Sequence, residues 1–407
     1  MMKTILIVST LDTKGVETLY LRDVIKGLGK APVILDISMR QPEGAEADIP
    51  PQEVAKAGGS SFEEILASGE RVKNTAVMTK GAQIIALNMW KEGKLDGIIG
   101  MGGSTGSLMA TDVMRVLPFG VPKLMISATA ALPGMSTRYI DIGDISLMHS
   151  VIEISGLSDI LKNVIERGAS AICAMADVSP IKTKKAGEKK PAIAITMLSP
   201  VEGCASKVRE MLEAKGYQVI GFSAAGISDR AMELMIEQGF FDGVIDLAPG
   251  GVIEHLVGGM KDAGPNRMEA AGKVGIPQII STGGVNYITP PKSRYTEEHR
   301  ARKKYDLDKF RTWLRASPDE LKKAAGVFAE KLNRSKGPVR VIIPLKGWTN
   351  FDVPGSATYD PEEDRIFVDE LKKGVKPEIE IIEVDANIEE TAFARALADA
   401  LVKLFKQ

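Results

Sequence analysis

Two short runs of small and polar residues carry the chemistry that can be read from this sequence. The first is Gly102, Gly103, Ser104, Thr105 and Gly106, at the end of the apolar run Ile98, Ile99, Gly100, Met101. A helical pattern follows at once. Glycines let a ligand approach the main chain, and a helix start offers unpaired N–H groups to an anion. Two hydroxyls beside those amides suit a phosphate or a carboxylate. The alternative is a turn that a helix and strand need in order to pack closely. The second run is Thr10, Leu11, Asp12, Thr13, Lys14 and Gly15, after the apolar stretch 5–8. There Lys14 would neutralise phosphate charge, and Asp12 would assist a Mg2+ ion or receive a proton. The alternative is a helix cap, with Asp12 or Thr13 holding free N–H groups and Lys14 solvated. The two turns are expected to face one another across a cleft, with Thr129 and Asp144 as weaker candidates on its rim and Arg138 either clamping an anion or simply exposed.

Neither run is a standard nucleotide motif. The glycine turn lacks the Gly-Lys-Ser/Thr ending of the ATPase loop, and Thr105 stands where a dinucleotide fingerprint has its third glycine. Asp36 follows the second apolar run, where a carboxylate meets a ribose or caps a turn. No Ser/His/acid or Cys/His arrangement emerges, so no residue is assigned a catalytic role. His149 reads as a satisfied, mostly buried side chain and His255 as structural. Cys204 stands near a helix start, where a thiol can be acidified, but an inert small side chain is the plainer reading. Glu202, Asp229, Glu254, Asp352 and Asp360 are candidates to line a second crevice, with nothing in the sequence to pair any two.

The totals bound the rest. The chain has 407 residues, which favours two domains. Lys and Arg total 52 against 53 Asp and Glu, so no nucleic-acid partner is expected. Two cysteines make no disulfide framework, and three histidines without close Cys/His spacing make no metal site. No apolar run reaches a membrane-spanning length. The first nine residues read as a strand rather than a signal peptide, so a cytoplasmic protein is expected.

Apolar runs and helical periods alternate throughout, which predicts an α/β protein with mostly parallel sheets. In the first half, strands are read at 5–9, 32–36, 97–100 and 123–127, and helices at 15–28, 51–57, 70–90, 104–116 and 156–176. Residues 177–190, with Pro180 and five lysines, read as a linker. The domains are therefore drawn as 1–185 and 186–407. In the second, strands are read at 191–196, 217–221, 243–247, 276–281, 339–344 and 378–384. Its helices are read at 202–214, 229–237, 251–257, 264–273, 319–332, 362–372 and 389–405. Residues 288–318 break the rhythm. They are basic and carry Tyr295, Tyr305, Phe310 and Trp313, which either pack locally or serve an interface.

With these pieces in order, the chain resembles a family of uncharacterised bacterial, archaeal, fungal and plant proteins. They share the N-terminal ATP-binding region of the tomato mosaic virus resistance protein of tomato. The resemblance rests on the stretches at 10–15, 95–104, 117–124 and 143–145, and then at 195–197, 230–233, 241–246, 257–259, 263–267 and 275–278. It implies two Rossmann-like subdomains, a homodimer, and a nucleotide, ATP in the first place, held in the cleft between subdomains. The chain also departs from the family. The loop 128–134 has lost the Thr-x-Ala-Ser-Gly pattern, and residues 198–203 have lost the Phe-Gly and hydroxyls that follow Thr-Met in relatives. Residues 223–226 lack the family histidine, and residues 248–251 lack a threonine and a glutamate. Leu307 and Asp308 replace a His-Asn pair, although Arg315 matches. A kept phosphate ligand and an altered second site are therefore expected. The leading reading is a nucleotide-binding protein, with or without turnover. A regulatory or scaffold protein gated by ligand, and an enzyme acting on a small phosphorylated or carboxylated metabolite, are the alternatives.

Overall fold

The computed structural model describes residues 2–42, 44–178, 190–309 and 311–406. Most of the expected linker, 179–189, and Phe310 lie outside the described residues. The chain divides into two units, Met1–Lys182 and Thr183–Gln407.

The first unit runs β1 (Thr4–Ser9), α1 (Leu11–Gly27), β2 (Ala31–Asp36), α2 (Pro51–Gly58), α3 (Phe62–Ser68) and α4 (Arg71–Lys91). It continues with β3 (Gly97–Gly102), α5 (Ser104–Arg115), β4 (Lys123–Ser127), α6 (Met135–Ile140), β5 (Ser146–His149) and α7 (Asp159–Asp177). The five strands form one parallel sheet in the order β2-β1-β3-β4-β5. Strand β1, flanked by β2 and β3, shows why its sequence is a continuous apolar run. Leu6 and Val8 pack on one face with Met78, Ala82 and Met109, while Ile5 and Ile7 pack on the other with Leu21, Ile165 and Ile172. A parallel strand covered by helices on both faces needs apolar residues at every position.

The second unit runs β6 (Ala192–Met197), α8 (Glu202–Glu213), β7 (Gln218–Ser223), α9 (Ile227–Glu237), β8 (Gly243–Asp246), α10 (Gly251–Val257), α11 (Ala270–Val274) and β9 (Gln278–Ile280). Then come β10 (Tyr287–Ile288), α12 (Glu297–Ala301), β11 (Lys304–Asp306), β12 (Thr312–Arg315), α13 (Pro318–Asn333), β13 (Val339–Pro344), α14 (Pro361–Gly374), β14 (Glu380–Val384) and α15 (Thr391–Leu404). Six strands form a parallel sheet in the order β14-β13-β9-β8-β6-β7. The other three form a small antiparallel sheet, β10-β12-β11.

Several local expectations are corrected. The turn expected at 9–15 is instead the start of α1, which begins at Leu11 and bends at Lys14 (φ −130°, ψ 23°). The cause lies outside the run: Asp36 Oδ1 accepts from the Leu11 amide at 3.0 Å, and Ser38 Oγ accepts from the Asp12 amide at 2.9 Å. Residues 38–68, where the sequence predicts one helix at 51–57, contain α3 as well as α2, and a Ser61–Glu64 capping box opens α3. Residues 141–145 lead into an edge strand, β5, absent from the strands read in the sequence, and His149 at its end is exposed rather than buried. The break after residue 288 is the antiparallel sheet, whose aromatic residues pack locally. Tyr305 stacks on Phe351 at 4.0 Å, and Trp313 meets Tyr287 and Phe351 edge-on.

Candidate functional site

In the first sheet, β1 leads to β2 on one side while its neighbour β3 leads to β4 on the other, so the connections leave in opposite directions from the carboxyl ends of β1 and β3. Open α/β sheets form a ligand crevice at such a switch point. Here that crevice is a pocket of about 580 Å3. Thr10, Asp12, Thr13 and Lys14 line it from the end of β1, and Gly103, Ser104, Thr105 and Gly106 line it from the end of β3.

The two turns offer different chemistry. The first amides of α1 are already satisfied, by Asp36 and Ser38 as above and by the Thr10 carbonyl, which accepts from Thr13 and Lys14. Thr10 and Thr13 share a hydroxyl hydrogen bond of 2.9 Å. At α5 the capping position is Gly103, which has no side chain to offer. The first amide there to find a protein acceptor is Ser107, which donates to the Gly103 carbonyl at 2.8 Å. The amides of Ser104, Thr105 and Gly106 are left for an anion, in the positive field of a twelve-residue helix.

The glycines also separate by role. A Cβ on Gly100 would lie 2.7 Å from Met125 Sδ and 2.8 Å from Ala110 Cβ, so this glycine is required for α5 to lie close on the sheet. A Cβ on Gly103 or Gly106 would meet nothing within 4 Å. Packing explains the first glycine and leaves the other two, on the pocket wall, unexplained by packing.

Lys14 does not stand free. Its Nζ donates to the Ile154 carbonyl at 2.5 Å. Asp12 is mostly buried and pairs with Arg40 at 3.2 Å. Two cations that sequence reasoning missed complete the wall: Arg40, and Arg71, whose Nη2 donates to Thr105 Oγ1 at 3.0 Å. One signal was available for Arg71. It is a cation in the first turn of α4, which carries no acidic residue there, and the helix dipole disfavours that placement. Met39, Ile65 and Leu66 give the pocket an apolar side.

The remaining expected residues lie elsewhere. Gly102 is the last residue of β3 and makes no part of the wall; its carbonyl accepts from the Ala128 amide. Thr129 shares a 2.6 Å hydrogen bond with the Tyr139 hydroxyl and is likewise off the wall. Asp144 is not a rim ligand. It accepts from the buried Lys123 at 2.7 Å and from the Gly120 amide at 2.7 Å, while Arg138 is exposed. Asp36 is fully buried and committed to Leu11 and Ser38, and burial pushes its carboxyl up despite those bonds.

In the second unit, Cys204 is fully buried, and burial pushes its thiol up to about 12, the Glu389 carboxylate adding to the effect. His255 Nδ1 meets Asp262 at 2.9 Å. Asp229 joins Glu233 and Asp246 around the buried guanidinium of Arg267. Glu254 accepts from Thr289 Oγ1 at 2.7 Å, Asp360 caps α14, and Glu202 is exposed at the start of α8. Asp352, which sequence reading left unpaired, is joined to Asp364 through the Asn286 amide. Among the described residues, no group of three or more His, Cys, Asp or Glu side chains is arranged to hold a metal ion. No helix among them is long and apolar enough to cross a membrane.

Two family models match this chain. The N-terminal domain of the uncharacterised protein family UPF0261 covers residues 3–180, and the C-terminal domain of the same family covers residues 190–405. The chain belongs to this family. A UPF0261 protein of Clostridium tetani is 35% identical over 409 residues, covering 100% of both chains. One of Brucella suis is 33% identical over 399 residues, covering 97% of this chain and 94% of its own. The ToMV resistance protein Tm-1(GCR237) of Solanum lycopersicum is 30% identical over 334 residues, which are 81% of this chain and 44% of that protein. The resemblance of this divergent UPF0261 member to the tomato protein is thus shown. A solved Methanocaldococcus jannaschii UDP-GlcNAc 2-epimerase aligns at a TM-score of 0.23 and 12% identity, over 69% of this chain and 83% of that one. That likeness is too slight to bear on function.

Proposed function

We propose that the pocket of the first unit binds a nucleotide, ATP in the first place. Its phosphates are held by the amides of Ser104, Thr105 and Gly106 and flanked by Arg71 and Arg40. The observation that carries this reading is the uncapped start of α5 at the β1/β3 switch point, with two arginines on the same wall. Three cations, Lys14, Arg40 and Arg71, stand against the single carboxylate Asp12, which suits a polyanion. A role for Asp12 beside Mg2+ requires Arg40 to leave it for the phosphates. The same reading keeps the homodimer implied by the family resemblance and a cytoplasmic location.

A small phosphorylated or carboxylated metabolite is the second reading. One observation favours it: Asp36, placed where an acid would meet a ribose, is consumed by Leu11 and Ser38. Calorimetric titration with ATP, ADP, AMP, GTP and pyrophosphate, with and without Mg2+, tests both. Saturable ATP binding that Arg71→Ala weakens at least tenfold, or about 1.4 kcal/mol, is expected. Absence of binding at millimolar nucleotide rejects the leading reading.

A further inference from the structure

The pocket at the β1/β3 switch point has two chemically distinct parts. The start of α5 and the cations Lys14, Arg40 and Arg71 make the polar part. Met39, Ile65 and Leu66 present only carbon and sulfur. Two of these three come from α3, and the core does not account for both. Phe62 and Ile65 pack with Met78 and Ala82, whereas Leu66, the next residue, is 47% exposed. A single exposed leucine is ordinary. This one lies on the wall of a concave pocket beside two other apolar side chains, which is surface that a ligand covers.

That surface is held in place by the polar groups around it. Asn74, from α4, is buried and lines this side of the pocket, but both ends of its carboxamide are engaged. Its Nδ2 donates to the Ile65 carbonyl at 2.8 Å, and its Oδ1 accepts from Ser68 Oγ at 2.8 Å. The Glu70 amide donates to the same Ser68 Oγ at 3.3 Å. Thr75 Oγ1 donates to Met39 Sδ at 3.5 Å. On the β1 side, the hydroxyls of Thr10 and Thr13 are bonded to each other.

A ligand with a phosphate chain at one end and a flat ring at the other matches both parts. Leucine, isoleucine and a thioether are good partners for the face of a ring. The edge of a ring needs hydrogen-bond partners, and the side chains that shape this wall have already spent theirs on one another. The distinction sets the selectivity. A site built to hydrogen-bond a group separates analogues by about 10⁴–10⁵, whereas an apolar surface separates similar shapes by only about 10–200-fold.

We propose that α3 seats a ring by its face, so that the pocket selects phosphate chains that carry a purine without selecting which purine. The inference rests on the nucleotide reading and adds the residues that tell a nucleotide from a bare phosphate chain. The test is calorimetric titration of the full chain with ATP, GTP and tripolyphosphate, all with Mg2+. ATP and GTP are expected to agree within about tenfold, and each to bind at least tenfold tighter than tripolyphosphate. Leu66→Ser, at a half-exposed position, should cancel the advantage of ATP over tripolyphosphate, and Leu66→Met should keep it. Met39→Ala gives the same loss by another route, should the serine variant fail to fold. If tripolyphosphate binds as tightly as ATP, the phosphate reading stands and the ring seat is overturned. It is overturned as well if ATP and GTP differ by more than about a hundredfold, or if the folded serine and alanine variants keep the full advantage. If neither ATP nor tripolyphosphate binds, the nucleotide reading falls and this inference falls with it.

Discussion

Gly106→Ala separates a ligand role from a packing role with effects of opposite sign. Gly106 sits in the first turn of α5, and its backbone lies outside the left-handed region. A Cβ there meets nothing within 4 Å, so alanine fits. Replacing a helical glycine at a compatible site stabilises by about 0.4–1 kcal/mol, mainly by restricting the unfolded chain. For a unit of 182 residues that corresponds to a melting temperature higher by roughly 1–4 °C. The same methyl occupies the pocket wall between the free amides, so nucleotide affinity should fall at least tenfold, about 1.4 kcal/mol. Gly100→Ala is the converse. Its methyl presses on Ala110 Cβ and Met125 Sδ, and overpacking of this kind costs about 1–3 kcal/mol. Its melting temperature should drop while any folded protein binds nucleotide as before. Differential scanning calorimetry and nucleotide titration of both variants give the four numbers. A Gly106→Ala protein that binds nucleotide as tightly as the wild type refutes the placement of phosphate on α5. One that melts lower shows that the glycine serves the fold instead.

Further outcomes follow from the buried charges. Arg267 is enclosed by Asp229, Glu233 and Asp246, so Arg267→Met strands three carboxylates and should cost about 3–5 kcal/mol in urea unfolding of the second unit. Burial, with Asp352 nearby, lifts the Asp364 carboxyl to about 7, against about 3.9 in an unfolded chain. Between those values the folded state holds a proton that the unfolded state lacks, so stability should fall as pH rises from about 4 to about 7. Asp364→Asn, measured by denaturation at several pH values, should flatten that slope. Both cysteines are buried, and burial raises their thiols, so neither should react with a disulfide reagent at pH 8 until the protein is denatured.

What could be read from the sequence was what local pattern determines. Ile5 to Val8 and Ile98 to Met101 are apolar because helices cover both faces, and any strand so placed announces itself. The helix 104–115 announced itself by its small-residue entry. What could not be read depends on residues distant in the chain. The start of α1 is set by Asp36 and Ser38, more than twenty residues downstream, so its first turn read as a loop. The short elements α3, α6 and β5 have too few residues to show a period. His149 read as buried because its neighbours are apolar, yet β5 is the edge of the sheet. Arg40 and Arg71 reach the pocket only after the segment between β2 and β3 folds back over the switch point. The pairing of Asp352 with Arg315 and Asn286 needed the register of a three-stranded sheet whose strands are two to four residues long.

The two large sheets are wound alike, and that likeness locates the difference between the units. In the first, β1 lies between β2 and β3; in the second, β6 lies between β7 and β8. Each therefore has one switch point, after β1 and after β6. At the first, the insertion between β2 and β3 supplies two arginines and an apolar side, and the helix that follows β3 begins with no cap. At the second, the helix that follows β8 is only seven residues long. The insertion between β9 and α13 folds instead into an antiparallel sheet carrying Arg315 and Trp313. Where the family resemblance implies a histidine and a turn with a threonine and a glutamate, residues 223–226 and 248–251 are Ser-Ala-Ala-Gly and Ala-Pro-Gly-Gly. Asn286, Arg315 and Asp352, all from later segments, are buried polar side chains of this unit that each keep an unpartnered atom. Polar groups therefore enter the interior of this unit from the insertion, with Asn286 and Arg315, and from the loop after β13, with Asp352.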